Sequence, residues 1–269
     1  LAVRKGHTGT IEVLLQAQPD VTLLTKDGHS PLMLACRDGA GSIVEVMLRS
    51  GLYLAKEVNQ RGLRGNTALI LACQHGHHKL VAPLVKAGAD VNAKSQYGDS
   101  ALLLACEYDH VRVVETLLQP PVRQSVDLCG TKFGTTALMI ASFKGFSSIV
   151  RLLLEAMNEE GVNVDTADPD GNTALMCASE KGQEDVVCEL LGALADVKLK
   201  NKKGDIFLQK QKVSEKKLML KLFELKKQDK NLKIYIRGDK DLNYGDVISI
   251  MGKITKAGFK KVALVTKIK

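Results

Sequence analysis

The chain has 269 residues, 45% of them hydrophobic and 25% charged, a composition that suits folded domains and a length that allows one large or two modest ones. No apolar run reaches the roughly 18 residues of a membrane-spanning helix, and no basic-then-apolar leader follows Leu1, so a truncated start is expected. The net charge of +8 is split unevenly: residues 1–199 hold 18 Lys+Arg against 23 Asp+Glu, a balance of −5, and residues 200–269 hold 20 against 7, a balance of +13.

Taken in chain order, the first stretch (AVRKGH, then IEVLLQ) reads as the back half of a helix pair. A five-residue signature then recurs as GHSPL at Gly28, GNTAL at Gly65, GDSAL at Gly98, GTTAL at Gly134 and GNTAL at Gly171, with spacings of 37, 33, 36 and 37 residues. Seven residues past each Gly stands Ala35, Ala72, Ala105, Ala141 or Ala178, followed by Cys or Ser. An aliphatic helix pattern comes next, as in IVEVMLRSG and VRVVETLL. A period near 33 holding two helices and a turn is the mark of a solenoid. The glycine supplies a positive φ for a hairpin turn, Ser or Thr caps the first helix, and the small pair lets neighbouring helices approach.

These residues resemble the ankyrin repeat, with its G-x-T-P-L, A-A-x-x-G-H and L-L-x-x-G-A-D-V-N segments. The resemblance implies a partial first repeat and five further units over residues 1–203, an all-α solenoid with hairpin fingers. The usual His after T-P-L is replaced by Met33, Ile70, Leu103, Met139 and Met176. That change exchanges a hydrogen bond of about 1 kcal/mol for apolar burial. Because each unit covers its apolar face only with the next, the uncovered leading end is expected to fray.

Several patterns that could carry chemistry have plainer readings. The run CQHGHH (Cys73–His78) lacks the paired spacing of a closed zinc site, and His77 falls at the same turn position as His7 and His110. Cys36, Cys73 and Cys106 share one repeat position, as small buried helix residues do, and the six cysteines are not spaced as a disulfide framework. Arg237-Gly238-Asp239 spells an adhesion tripeptide but is read as a strand end entering a loop. Glu159-Glu160 is assigned to a solvated loop between repeats. With no Walker loop, GxSxG elbow or HExxH helix, the first part is expected to be neither enzyme nor cofactor protein.

The resemblance implies binding through the finger tips and the exposed side of the first helix, at positions −2, −1, +1, +9 and +10 from each signature Gly. Those positions hold Gln96, Tyr97, Asp99, Glu107 and Tyr108 in one unit and Lys132, Phe133, Thr135, Phe143 and Lys144 in the next. Four of the six Tyr and Phe of the array fall there. Aromatics gathered at an interface centre commonly contribute about 2 kcal/mol or more each. Arg64, Asn66, Gln74 and His75 form one polar rim, and Asp170, Asn172, Glu180 and Lys181 the other. The partner is expected to be a protein whose identity the array leaves open.

After Gly204 the pattern changes, since the positions that should hold the small pair are Gln211 and Lys212. IFLQ alternates as a strand does, EKKLMLKLFELKKQ reads as a helix, LKIYI as a strand, Tyr244–Ala257 as a helix stopped by Gly258, and KVALVT as a strand. The expectation is therefore α+β overall, with a β-α-β-α-β domain over residues 204–269 behind the helical array. The stretch IYIRGDKDLNYGDVISIMGKITKAGFKKVALVT resembles the C-terminal domain of the ExbD/TolR family of cell-envelope transport. That resemblance implies a dimerising periplasmic domain serving a proton-driven membrane motor, and of its motif only Asp239 and Tyr244 are carried over. The family's transmembrane helix is replaced here by repeats. Three readings follow: a non-enzymatic interaction scaffold joined to an envelope domain, an accessory subunit of biopolymer transport, and a nucleic-acid binder led by the +13 tail. The third is disfavoured because stacking aromatics are few. The repeats point to the cytoplasm and the tail to the periplasmic side of an inner membrane.

Overall fold

The computed structural model describes residues 2–119, 122, 134–196, 199, 222, 234–237, 251–259 and 262–265, which fall in two compact units, Leu1–Lys210 and Gln211–Lys269. The first unit opens with α1 (Ala2–Lys5) and α2 (Thr8–Gln16). Next come α3 (Pro31–Arg37) and α4 (Gly41–Arg49), and the longer spacing behind them folds into the single turn α5 (Ala55–Val58). Three pairs follow: α6 (Ala68–Gln74) with α7 (His78–Lys86), α8 (Ala101–Glu107) with α9 (Val111–Leu118), and α10 (Ala137–Lys144) with α11 (Ser147–Glu160). The last pair is α12 (Ala174–Lys181) with α13 (Glu184–Gly192). Glu159 and Glu160 thus end a helix rather than lying in a loop, because α11 runs on to the left-handed Gly161.

Each first helix packs on the next first helix, from α3 through α6, α8 and α10 to α12, and the second helices form a parallel layer from α2 to α13. The sequence pattern explains both layers. Ala35, Ala72, Ala105, Ala141 and Ala178 are fully buried, so backbones meet across a methyl group alone. In the second layer, Ile43, Val44 and Met47 are repeated as Leu80, Val81 and Leu84, then Val113, Val114 and Leu117, then Ile149, Val150 and Leu153, then Val186, Val187 and Leu190. This i, i+1, i+4 stripe faces inward in every unit. The second helices that carry Leu84 and its equivalents pack on those of the adjoining units, which makes stability a chain of neighbour interfaces.

The helix starts are set by hydroxyls. Ser30, Thr67, Ser100, Thr136 and Thr173 accept the backbone N–H of Met33, Ile70, Leu103, Met139 and Met176 at 3.1 to 3.4 Å. Those five residues, standing where His is usual, are all buried. In the fingers, Gly28 has φ +73°, and a Cβ there would lie 2.7 Å from the backbone N of Leu63. The same closeness lets the Leu63 N–H donate to the Gly28 carbonyl at 3.2 Å, and Gln96 N–H donate to the Arg64 carbonyl at 3.0 Å. One finger is therefore hydrogen-bonded to the next. The extra turn α5 is held similarly: the Asn59 amide donates to the Gly88 carbonyl at 2.7 Å and its oxygen accepts from Asp90 N–H at 2.7 Å.

In the second unit, β1 (Ile234–Arg237) pairs in parallel with β2 (Val262–Val265), Ile234 opposite Val262 and Arg237 opposite Val265. A parallel pair requires a crossover, and residues 251–256 on that connection are helical, with Ile254 buried. Gly258 at φ +87° ends this turn of helix, and Phe259, also buried, returns its N–H to the Ile254 carbonyl at 3.4 Å. Leu222 is helical and buried. The α+β class with a five-element β-α-β-α-β domain is corrected: the architecture is that of a helical array, and among the described residues strand is confined to one two-stranded pair. The physical reason is that four alternating residues such as IFLQ (206–209) are too few to separate strand from helix; that stretch lies outside the described residues, as do Asp239 and Tyr244.

Two stability effects follow. Gly28→Ala should lower the unfolding free energy by about 1 to 3 kcal/mol in urea titration, since the methyl group meets the Leu63 backbone in a left-handed conformation. The hydroxyls of Ser142 and Ser179 are buried with no hydrogen-bond partner among the described residues, at the position where earlier units carry Cys36, Cys73 and Cys106. Ser142→Ala should therefore raise the melting midpoint, by an amount corresponding to about 1 kcal/mol.

Candidate protein-binding face

The first helices end in two adjacent rows. Arg37, Gln74, Glu107, Phe143 and Glu180 are nine residues past their finger Gly, and Asp38, His75, Tyr108, Lys144 and Lys181 ten past it. Between repeats, these ends are tied by one recurring contact. His77 Nε2 lies 2.9 Å from the Arg37 carbonyl oxygen and His110 Nε2 lies 2.9 Å from that of Gln74. Gln183 occupies the same place and donates to the Phe143 carbonyl at 3.4 Å. The turn glycines give these side chains room: a Cβ on Gly39 would sit 2.5 Å from the His77 ring, and one on Gly76 would sit 2.9 Å from that of His110. His77 is thus a register pin, which accounts for its place in the CQHGHH run.

Of the aromatics expected on the face, Tyr97 is 56% exposed, Tyr108 50% and Phe143 40%, whereas Tyr53 is 5% exposed and Phe146 is packed half-buried against the core. Phe133 lies outside the described residues. Arg64, His75, Lys144 and Asp170 are exposed, and Asn66, Gln74, Asp99 and Glu107 are half-buried. Asp99 is partly spoken for, since Ser95 Oγ donates to its carboxylate at 3.1 Å and accepts its N–H at 3.2 Å. Asp170 sits in a turn where Asp168 accepts its N–H at 2.9 Å.

Leu63, 73% exposed at the finger tip of the preceding unit, is a further apolar residue of the face that the aromatic pattern alone does not reveal. Its position, two before Gly65, already marked it. The ring of Phe143 carries the Lys181 ammonium 4.4 Å from its centroid, a cation–π contact between the rows of neighbouring units. Tyr108 stacks on His110, centroids 6.3 Å apart, and His75 on His77 at 6.4 Å. Burial, then the adjoining His77 and Arg37, hold the His75 imidazole below its ordinary pKa, so it presents a neutral ring at neutral pH.

The buried thiols are poor nucleophiles. Burial pushes those of Cys36, Cys73 and Cys106 far above the ordinary range and that of Cys177 to about 11. Among the described residues, no cluster of His, Cys, Asp and Glu has the arrangement of a metal site, and no helix is long and apolar enough to cross a membrane. What the geometry presents is an open face of apolar rings among mixed charges, suited to binding a macromolecule.

Comparison with known proteins agrees. The ankyrin-repeat model matches in three overlapping copies, residues 1–95, 52–128 and 102–201, and the model for biopolymer transport protein ExbD/TolR matches residues 180–269. Their overlap begins at the end of α12 and includes α13, both of which pack as part of the array. The chain is 37% identical over 93 residues to the probable E3 ubiquitin-protein ligase XBOS32 of Oryza sativa subsp. japonica, across 34% of this chain and 18% of that protein. It is 38% identical over 95 residues to NF-kappa-B inhibitor alpha of Mus musculus, across 35% of this chain and 30% of that protein. The matches thus span less than a third of either relative's length. The crystal structure of the ankyrin repeat domain of Bcl-3, a member of the IkappaB protein family, superposes with a TM-score of 0.68 at 25% identity, covering 82% of this chain and 96% of that one. That likeness sets the helical ankyrin fold in place of the α+β class. With a family model spanning residues 1–201 and the repeat geometry to match, the chain belongs to the ankyrin-repeat family and carries an ExbD/TolR match at its C-terminal end.

Proposed function

We propose that the face centred on Leu63, Tyr97, Tyr108 and Phe143 docks a protein partner, with Arg64, Asn66, Gln74, His75, Asp99, Glu107, Lys144 and Asp170 as its polar surround and Phe133 in the same register. The chain acts through this face as a non-enzymatic scaffold. The observation that carries the reading is the contrast among aromatics of one array: Tyr53 is buried in the core, whereas Tyr97, Tyr108 and Phe143 are held out on adjacent units. Large rings kept in water beside polar groups mark an interaction surface. Likeness to an IkappaB-family domain supports a protein as the ligand. The ligase activity named for XBOS32 is not carried over, because the match covers 18% of that protein.

For the second domain we place the boundary at residues 203/204, because the unit that Gly204 would open has Gln211 and Lys212 where the small pair should stand. The +13 balance beyond residue 199 and the ExbD/TolR match support a separate role there, with a homodimer or an envelope complex as the partner.

The face is tested with the immobilised full chain and a protein extract of its source cells. Tyr108→Ala combined with Phe143→Ala should weaken retention of specific partners by about 2 kcal/mol or more while leaving the helical circular dichroism unchanged. Unchanged retention by the double variant contradicts the assignment.

A further inference from the structure

The contact that fixes register at the helix ends is missing from one interior joint of the array. It needs two parts: a side chain twelve residues past the finger Gly, and a turn eleven past the preceding finger Gly that leaves it room. His77 with Gly39, His110 with Gly76 and Gln183 with Gly145 supply both parts, and each side chain reaches a carbonyl of the preceding first helix. At the joint between the α8–α9 and α10–α11 pairs, the two parts are Phe146 and Asp109. Phe146 has no hydrogen-bonding atom in its side chain, and Asp109 carries the Cβ that would collide with the imidazole in the other turns. The Glu107 carbonyl, equivalent to those of Arg37, Gln74 and Phe143, accepts no hydrogen bond among the described residues. The leading joint also lacks the contact, with Ala40 in its place, but it parts only the end pair α1–α2 from the rest.

At this joint α8 still packs on α10 and α9 on α11. Apolar packing resists separation but not a small rotation, because it has no preferred direction. A hydrogen bond weakens with both distance and angle. The turn itself is the exception in the series: Asp109 takes φ +59°, whereas Gly6, Gly39, Gly76, Gly145 and Gly182 hold the same place elsewhere. The units on either side are tied more firmly. Before the joint, Arg61 donates to the Lys94 carbonyl at 2.7 Å in addition to the His110 contact. Beyond it, the Arg151–Glu189 ion pair at 3.3 Å and Lys181 over the Phe143 ring at 4.4 Å add to the Gln183 contact.

We propose that this joint is a hinge within the array, the units through α9 moving as one block and those from α10 as another, opening and closing at the helix ends. Where each unit touches only its neighbours, one loosened joint is enough to part a stack into two blocks. Tyr108 and Phe143 stand at the helix ends on its two sides, so the gap between them varies with the hinge angle. A partner docked on both rings of the proposed face holds that angle at one value. The hinge itself stands without such docking.

Pulsed double electron–electron resonance on the full chain tests this, with spin labels carried on azide-bearing residues so that the native thiols stay unlabelled. Ser42, Lys79, Arg112 and Ser148 hold one repeat position, fourteen past the finger Gly, and all are exposed on second helices. Labels at 42 and 112 span two joints that carry the contact; labels at 79 and 148 span one that carries it and the hinge. The 79–148 distance distribution should be about twice as wide as the 42–112 one. Asp109→Gly with Phe146→His restores both parts and should narrow it to match, whereas Phe146→His alone should leave it wide. Equal widths in the unaltered chain overturn the hinge. A wide 79–148 distribution that the double variant does not narrow also overturns it, since the motion then has another cause. If 79–148 is wide while Tyr108→Ala with Phe143→Ala leaves partner retention unchanged, the hinge survives and only the docking face falls.

Discussion

The feature on which everything else rests is register between repeats, and it is held by a few short contacts across three of the joints. On the inner side of each turn, His77, His110 and Gln183 reach back to a carbonyl at the end of the preceding first helix. At the fingers, the Leu63 and Gln96 amides bond to the finger before them. Burial of the aliphatic stripes is non-directional and would tolerate sliding by a fraction of a turn. The hydrogen bonds would not, because each depends on distance and angle. Together they convert a stack that merely excludes water into one that sets Leu63, Tyr97, Tyr108 and Phe143 on the outward side of successive units.

Glycine makes those joints possible for two separate reasons. Gly28 and Gly76 adopt left-handed φ, and each also lies where a Cβ would collide with the following unit. Asp109 shows the limit of the rule. It takes φ +59° without being glycine, a conformation that Asp tolerates better than most residues, and the following unit offers Phe146 rather than an imidazole at the corresponding place. Phe146 then packs half-buried against the core instead of pinning a carbonyl. Among the described residues, the contact at the pin position before α10 is thus apolar where those of His77, His110 and Gln183 are polar.

Much of the array could be read from residues alone because each feature has a local cause repeated five times. The Ser or Thr before α3, α6, α8, α10 and α12 implied a cap, and each hydroxyl accepts the expected N–H. The small pair implied close helices, and Ala72 and Cys73 are fully buried. What escaped was non-local. Nothing in the neighbourhood of Lys181 says that it covers Phe143, since that contact joins two units 38 positions apart. Leu63 stands at a face position, but a leucine's residue type does not tell that it is left exposed there. Near the C-terminus the repeats no longer vouch for one another, and a four-residue alternation could not by itself fix the class of the tail.

The account's central claim is that register sorts the array's aromatics into a buried set and a displayed set. Hydroxyl-radical footprinting of the isolated chain, read by mass spectrometry, tests this most directly. Tyr97, Tyr108 and Phe143 should be oxidised rapidly, with Tyr53 protected and Phe146 intermediate. Oxidation of Tyr53 as fast as Tyr108, or protection of Tyr108 in the chain alone, would contradict it.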